Sequence, residues 1–348
     1  MDLPEEMIVL ILSWLPVKSL VRFICVSKSF HSIILQLQAA RDRKTLSPRL
    51  LFPIDCPRFE SIDLETPSFG DNSSVTKLNF PFEPVAGGAV ELLGSCNGIV
   101  FLVFNDQIYY MWNPSTGFFR ELPDTGVSFG SYNDRIIFSG VGYLPATDDY
   151  RVIVAYDGVV DFPDMCAMFS SKANAWKTFE VSDTEIDVIS DQGTFINEAL
   201  HWLLYEKEIM AFDSAQEEEH KVRKMLLPKD FDGHHFPEYE LSAGECLLLA
   251  DFDKANQYID VWVMREYDVP DSWTKLFNLK FSYPPTGAAG WLRGLFVMGT
   301  STLFRTSDRS ENVSVKILHK GDDCGFYKVE GMGHKMIQYQ ESLLRIDD

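Results

Sequence analysis

The sequence predicts an α + all-β chain: three short helices within the first forty residues, then a large, many-stranded antiparallel β-domain, either a sandwich or a propeller. Three observations carry this prediction. Residues 3–36 crowd apolar residues at helical spacing around two prolines, Pro4 and Pro16. From Pro48 onward the spacing changes to short runs punctuated by Gly, Pro, Asn and Asp. A unit of strand, turn and strand, ending on an aromatic residue, then recurs roughly every 45 to 50 residues, within the range of propeller blades.

The helical stretch comes in three pieces. Over residues 4–15, Met7, Ile8, Leu10, Ile11, Leu12, Trp14 and Leu15 cover more than one helical face. That exceeds the stripe a helix needs to meet a single core, so two faces must be covered. Asp2 is the expected cap, Pro4 suits the first turn, and Glu5 and Glu6 sit where the helix dipole favours negative charge. Pro16 ends the helix. Over residues 17–26, Leu20, Val21, Phe23 and Ile24 repeat at three and four, and Ser27 caps a third helix carrying Phe30, Ile33, Ile34 and Leu37. Forty residues bury only a modest core, so the surplus apolar surface reads as half of an interface.

The β region is read from alternation and turn residues. Strands are expected over 49–52 and 59–65, and loops over 71–74 and 81–88. Four strands follow between 92 and 122, with turns at Asn97-Gly98, Asn105-Asp106 and 113–117. Further strands are expected over 136–143, 150–156, 165–169, 175–181, 194–196, 199–205, 209–212, 245–251, 258–265, 273–279, 295–298, 302–305, 313–318, 325–329 and 335–346. Trp112, Trp176, Phe212 and Trp273 mark the recurring unit at unequal spacings, and are read as sheet packing rather than as ligand platforms.

Charge is unevenly divided over the 348 residues. The net charge is −20, but residues 1–50 hold seven Lys and Arg against four acids, which leaves −23 on the remainder. An acidic body argues against binding a nucleic-acid backbone or an anionic membrane surface. The basic start suits an acidic partner. Cys25, Cys56, Cys96, Cys166, Cys246 and Cys324 are far apart, without a C-x-x-C pair or a histidine at ligand spacing, so neither a structural zinc site nor a disulfide framework is expected. With no secretory signal pattern and no apolar run of membrane-spanning length, the expected location is the cytoplasm and/or nucleus, soluble and reducing. There the sequons at Asn72 and Asn312 are chance matches.

Catalytic constellations are not found. His234 and His235, near Asp230, Asp232 and Glu238, read as a polar loop, because no familiar ligand spacing joins them. Asp148-Asp149 reads as a turn and 217–219 as a solvated acidic turn. Asp251 and Asp253 resemble a fragment of a calcium loop that lacks its Gly and its distal Glu. There is no P-loop, no G-x-G-x-x-G after a strand and no G-x-S-x-G. No catalytic residue, metal or cofactor is expected.

Two Leu-Pro pairs, at Leu3-Pro4 and Leu15-Pro16, followed by VKSLVRFICVSKSF, resemble the F-box, above all its plant form, over Leu3 to about Leu37. Phe30 departs from that pattern, which usually has Trp there. The strings GSCNGIVFL, MWNPSTGFFRELP, GVGYLPATDDYRVI, ALHWL, AFD and DVWVMREYDVPDSWTKLF are similar, in order, to the plant F-box-associated domain. The resemblance implies a kelch-related, propeller-like β-domain of about five to six blades. It divides the chain into an F-box over 1–40, a linker over 41–48 and a substrate-recognition domain over 49–348.

Function follows from that resemblance as an expectation. The chain is read as the non-catalytic substrate receptor of a Skp–cullin–F-box ubiquitin ligase, holding a target protein near the conjugating enzyme so that proximity does the work. Its partners are a Skp-type adaptor, a cullin reached through it, and an unidentified target. The adaptor contacts that the resemblance implies are Leu3, Pro4, Ile8, Ile11, Leu12, Leu15, Pro16, Leu20, Phe23, Cys25, Val26 and Phe30, some of which pack internally instead. Two rival readings are a binding module outside a cullin ligase, including a self-incompatibility-type F-box protein recognising a ribonuclease, and a propeller enzyme or lectin.

Overall fold

The computed structural model describes residues 3–15, 17–40, 48–55, 58–64, 74–80, 88–127, 136–156, 165–180, 188–205, 208–215, 222–229, 231, 239–243, 246–253, 258–280, 291–298, 301–307, 313–319, 322–329 and 335–344. Asp2, Pro16, residues 41–47, the His234-His235 loop, residues 217–219, Asn72 and Asn312 lie outside them.

Three helices come first: α1 (Glu5–Ser13), α2 (Val17–Ile24) and α3 (Lys28–Ala40). Pro4 occupies the N-cap of α1 rather than its first turn, and its carbonyl accepts from the Met7 and Ile8 amides. Ser27 caps α3 as its position predicts, its Oγ accepting from the Phe30 amide at 3.1 Å. Leu12, Val17, Leu20, Ile33 and Ile34 are the buried centre of the bundle, with Ile8, Val9, Leu15, Val21, Ile24, Phe30 and Leu37 packed around them.

The β-domain is built from antiparallel four-stranded units in chain order. The first holds β1 (Pro48–Asp55), β2 (Arg58–Asp63) and β3 (Val75–Asn79). The second holds β4 (Val90–Cys96), β5 (Ile99–Phe104), β6 (Ile108–Trp112) and β7 (Phe119–Glu121). The third holds β8 (Ile136–Leu144), β9 (Asp149–Tyr156), β10 (Met165–Ser170) and β11 (Ala175–Glu180). The fourth is β12 (Gln192–Ile196), β13 (Ala199–Leu203), β14 (Glu208–Asp213) and β15 (Val222–Leu226). The fifth is β16 (Tyr239–Ala243), β17 (Leu247–Asp253), β18 (Tyr258–Met264) and β19 (Trp273–Lys280). The sixth is β20 (Trp291–Met298), β21 (Ser301–Ser307), β22 (Val313–His319) and β23 (Asp322–Val329). A last strand, β24 (Ile337–Gln340), returns to the first unit and pairs with β1, Ile337 opposite Leu51 and Gln340 opposite Pro48. Thus each unit is four-stranded, and the two ends of the domain share one sheet, as in a propeller.

The cores lie between neighbouring units. Leu92, Val100, Leu102 and Trp112 of the second unit meet Leu51 and Phe59 of the first. On the other side, Phe101, Tyr109 and Met111 meet Val152, Val154 and Phe169 of the third. Middle strands are therefore covered on both faces, and every residue of β5 is buried, so IVFLVF is a continuous apolar run rather than an alternating one. Third and fourth units are also joined by a parallel pairing, Gln192 to Ser139 and Gly193 to Gly140. A Cβ on Gly193 would stand 2.6 Å from the Trp202 ring, so only glycine admits this approach.

Turns follow the sequence closely. Asn97-Gly98 and Asn105-Asp106 have positive φ at both central residues, which two-residue hairpins need to match strand twist. Trp112, Trp202 and Trp273 are buried and Trp176 is half-buried, so these four tryptophans pack within the β-domain. Three strands were not expected from the sequence, β3, β15 and β16. β3 and β15 are outer strands with one covered face, and their VTKLN and VRKML carry too few apolar residues to alternate visibly. The final expected strand, 335–346, is only Ile337–Gln340, because the chain leaves the sheet to take up other contacts.

A candidate docking surface on the N-terminal helices

Helix α1 has two apolar faces, as the number of its apolar residues requires. Ile8, Leu12 and Leu15, at spacings of four and three, turn inward. Leu3, Met7, Leu10, Ile11 and Trp14 turn to solvent, Trp14 with 79% of its surface exposed. Phe23, in α2, and Val26, just after it, are exposed as well. Of the fourteen large apolar side chains exposed among the described residues, eight lie in residues 3–35. That concentration on so short a segment marks an interaction surface rather than the scattered exposure of an ordinary protein exterior.

The twelve candidate residues separate by burial. Leu3, Pro4, Ile11, Phe23, Cys25 and Val26 are exposed; Ile8, Leu15 and Phe30 are partly covered. Leu12 and Leu20 are among those that pack internally: they are 2% and 0% exposed, and their side chains lie in the bundle's own core. Pro16 lies outside the described residues. Phe30 stacks on Phe23, ring centroids 5.8 Å apart and planes inclined by 18°. The pair joins α2 to α3 at the edge of the exposed patch. Met7, Leu10 and Trp14 are the surface residues that the sequence reading did not assign to the docking set. Their signal was present, since 3, 7, 10 and 14 follow the helical repeat opposite 8, 12 and 15. Lys18, Arg22 and Lys28 are exposed on α2 and α3 and give these helices positive charge.

Two buried polar clusters tie parts of the β-domain together. Asp149 is paired with Arg151 at 2.8 Å, both side chains under 5% exposed, and its carboxylate accepts from the Ser170 and Ser171 hydroxyls and the Lys172 amide. It thereby pins the turn between β10 and β11. His201 is fully buried. Its Nδ1 lies 3.1 Å from the Thr194 carbonyl, which can only accept, so the proton sits on Nδ1 and Nε2 accepts from the Tyr267 hydroxyl at 2.8 Å. Burial pushes the imidazole pKa down to about 4, aided by the Arg223 charge. Among the described residues, no group of three or more His, Cys, Asp and Glu is placed to hold a metal ion. No helix among them is long and apolar enough to cross a membrane.

Two family models match the chain. Residues 1–38 match the F-box domain, and residues 53–287 match the F-box associated beta propeller domain. The F-box protein CPR1 of Arabidopsis thaliana is 28% identical over 304 residues, covering 76% of this chain and 70% of that protein. The putative F-box protein At3g16210 of the same plant is 27% identical, over 65% of this chain and 61% of its own length. The F-box/kelch-repeat protein At3g23880, also from Arabidopsis thaliana, is 25% identical, over 80% of this chain and 79% of its own length.

Proposed function

We propose that this chain, which belongs to the family of F-box proteins with an F-box associated β-propeller domain, is the substrate-recognition subunit of a Skp–cullin–F-box ubiquitin ligase. One observation carries the reading. The helices bury a core and still expose Leu3, Met7, Leu10, Ile11, Trp14, Phe23 and Val26 to solvent. Apolar exposure of that kind, on helices that also expose Lys18, Arg22 and Lys28, suits an acidic Skp-type adaptor with an apolar groove.

The adaptor would in turn connect the chain to a cullin, and the β-domain would hold the target. Catalysis belongs to the conjugating enzyme; this subunit raises the effective concentration of target lysines and handles no thioester. It works in the cytoplasm or nucleus, where the adaptor and the ubiquitin system are found.

Affinity purification tests the reading. Full-length protein is expected to retain a Skp-type adaptor and a cullin, and protein lacking residues 1–40 to lose both while keeping its target. Adaptor without cullin would favour the free binding module. Absence of the adaptor from the full-length sample would overturn the proposal.

A further inference from the structure

The bundle of helices is completed by a residue from the other end of the chain. Leu343, 4% exposed, is buried in the same cluster as Leu12, Val17, Leu20, Ile33 and Ile34. Among the described residues it is the one buried member of that cluster contributed from outside the helices. Leu344, next in sequence, instead packs against the core between the second and third units of the β-domain. Two adjacent side chains therefore enter two different cores.

The path of this segment is fixed by the β-domain. After β24 the chain reaches the turn between β6 and β7, where fully buried Asn113 directs its Nδ2 at the Ser342 carbonyl and hydroxyl, each 3.1 Å away, and at the Leu344 carbonyl, 2.8 Å away. The Oδ1 of the same side chain accepts from the Ser115 and Thr116 amides, so the amide cannot turn over without losing both sets of bonds. Ser115 Oγ accepts from the Ser342 amide at 3.2 Å. From the β4–β5 turn, Gly98 makes room. A Cβ there would stand 2.4 Å from Ser342 Oγ and 2.6 Å from the Gln340 carbonyl, and its φ of +81° already favours glycine. The turn motifs SCNG and WNPSTG are thus the seat of residues 340–344.

We propose that residues 342–344 form a strut that holds the helices at a fixed orientation to the β-domain, with Leu343 as the positioning residue. Held in this way, an adaptor bound to the helices and a target bound to the β-domain keep a fixed separation, so the strut sets the effective concentration of the target at the ligase. This consequence rests on the adaptor reading above; the mechanical coupling does not.

The experiment uses the full chain with spin labels on genetically encoded ketone residues at Gln36, in α3, and Lys172, in the β10–β11 turn, both exposed. Wild type is expected to give one narrow distance distribution. Leu343→Ala is expected to broaden it at least twofold while the Kd for a Skp-type adaptor stays within threefold. Equal widths in wild type and variant, narrow or broad, would overturn the strut. If Leu343→Ala also costs helical structure, Gly98→Ala decides. It displaces residues 340–342 without touching a helix and is expected to broaden the distribution; an unchanged width there would overturn the proposal as well. A wild-type protein that shows a narrow distribution but binds no adaptor would refute the adaptor reading and leave the strut standing.

Discussion

The imidazole of His201 accepts a hydrogen bond from the Tyr267 hydroxyl, 2.8 Å away and 66 residues further along, with the two rings edge to face. Tyr267 in turn accepts from Arg223 at 2.7 Å, and Arg223 is paired with Asp268. The chain of bonds ties the fourth unit to the fifth, and it requires a neutral histidine.

That requirement has a sign. The folded pKa is lowered to about 4 from the ordinary 6.5. The neutral ring's contribution is therefore complete above about 6.5 and is lost as pH falls toward 4, because the unfolded chain binds the proton first. The gap corresponds to roughly 3 kcal/mol. Urea unfolding between pH 7.5 and 5 is expected to show stability falling with pH, with His201→Gln flattening the slope. An equal slope in the variant would assign the pH dependence elsewhere.

Trp14→Asp and Ile11→Asp change the exposed face of α1 and leave its core contacts intact. Each is expected to weaken adaptor binding at least tenfold, since a buried apolar side chain contributes about 1.5–3 kcal/mol. Helical circular dichroism stays at the wild-type level. Leu20→Asp loses binding for a different reason: it places a carboxylate in the bundle core, and the helical signal falls with the affinity. Undiminished binding by Trp14→Asp would remove that face from the interface.

Asp149→Ala leaves the Arg151 guanidinium, 4% exposed, without its carboxylate. A cost of about 3–5 kcal/mol is expected, because breaking a buried ion pair at one partner costs more than the pair contributes. Adding Arg151→Met is expected to recover a large part of it. Thermal unfolding of the two variants makes the comparison, and an additive loss in the double variant would contradict it.

Phe30→Trp enlarges a ring that already stacks on Phe23 at the edge of the bundle, where it is only partly covered. The larger face is expected to add about 0.5–1 kcal/mol to the stability of the helices. A fall in melting temperature of the helical signal would show instead that the site is shaped to phenylalanine.

Local rules were legible in the residues themselves. Ser27 before an apolar period, Asn97-Gly98 and Asn105-Asp106 between apolar runs, and the surplus of apolar residues in α1 each follow from short-range geometry. The structure realises them nearly where they stand. Outer strands β3 and β15 were harder to see, since one covered face demands few apolar residues. Leu12 and Leu20 illustrate a different limit. Composition shows that α1 must cover two faces, but which face meets the chain's own core depends on how α2 and α3 pack.

By itself, then, the sequence determined the two classes of structure, the hairpin positions and the presence of an apolar surface in need of a partner. These depend on periods of two and 3.6 and on turn chemistry, all readable within a few residues. Only the tertiary structure decided that Asn113 and Gly98 seat residues 340–344 and that Leu343 completes the helical core. Those contacts join positions more than two hundred residues apart, and no local pattern records them, because they exist only once β24 has paired with β1 and brought the two ends of the chain together.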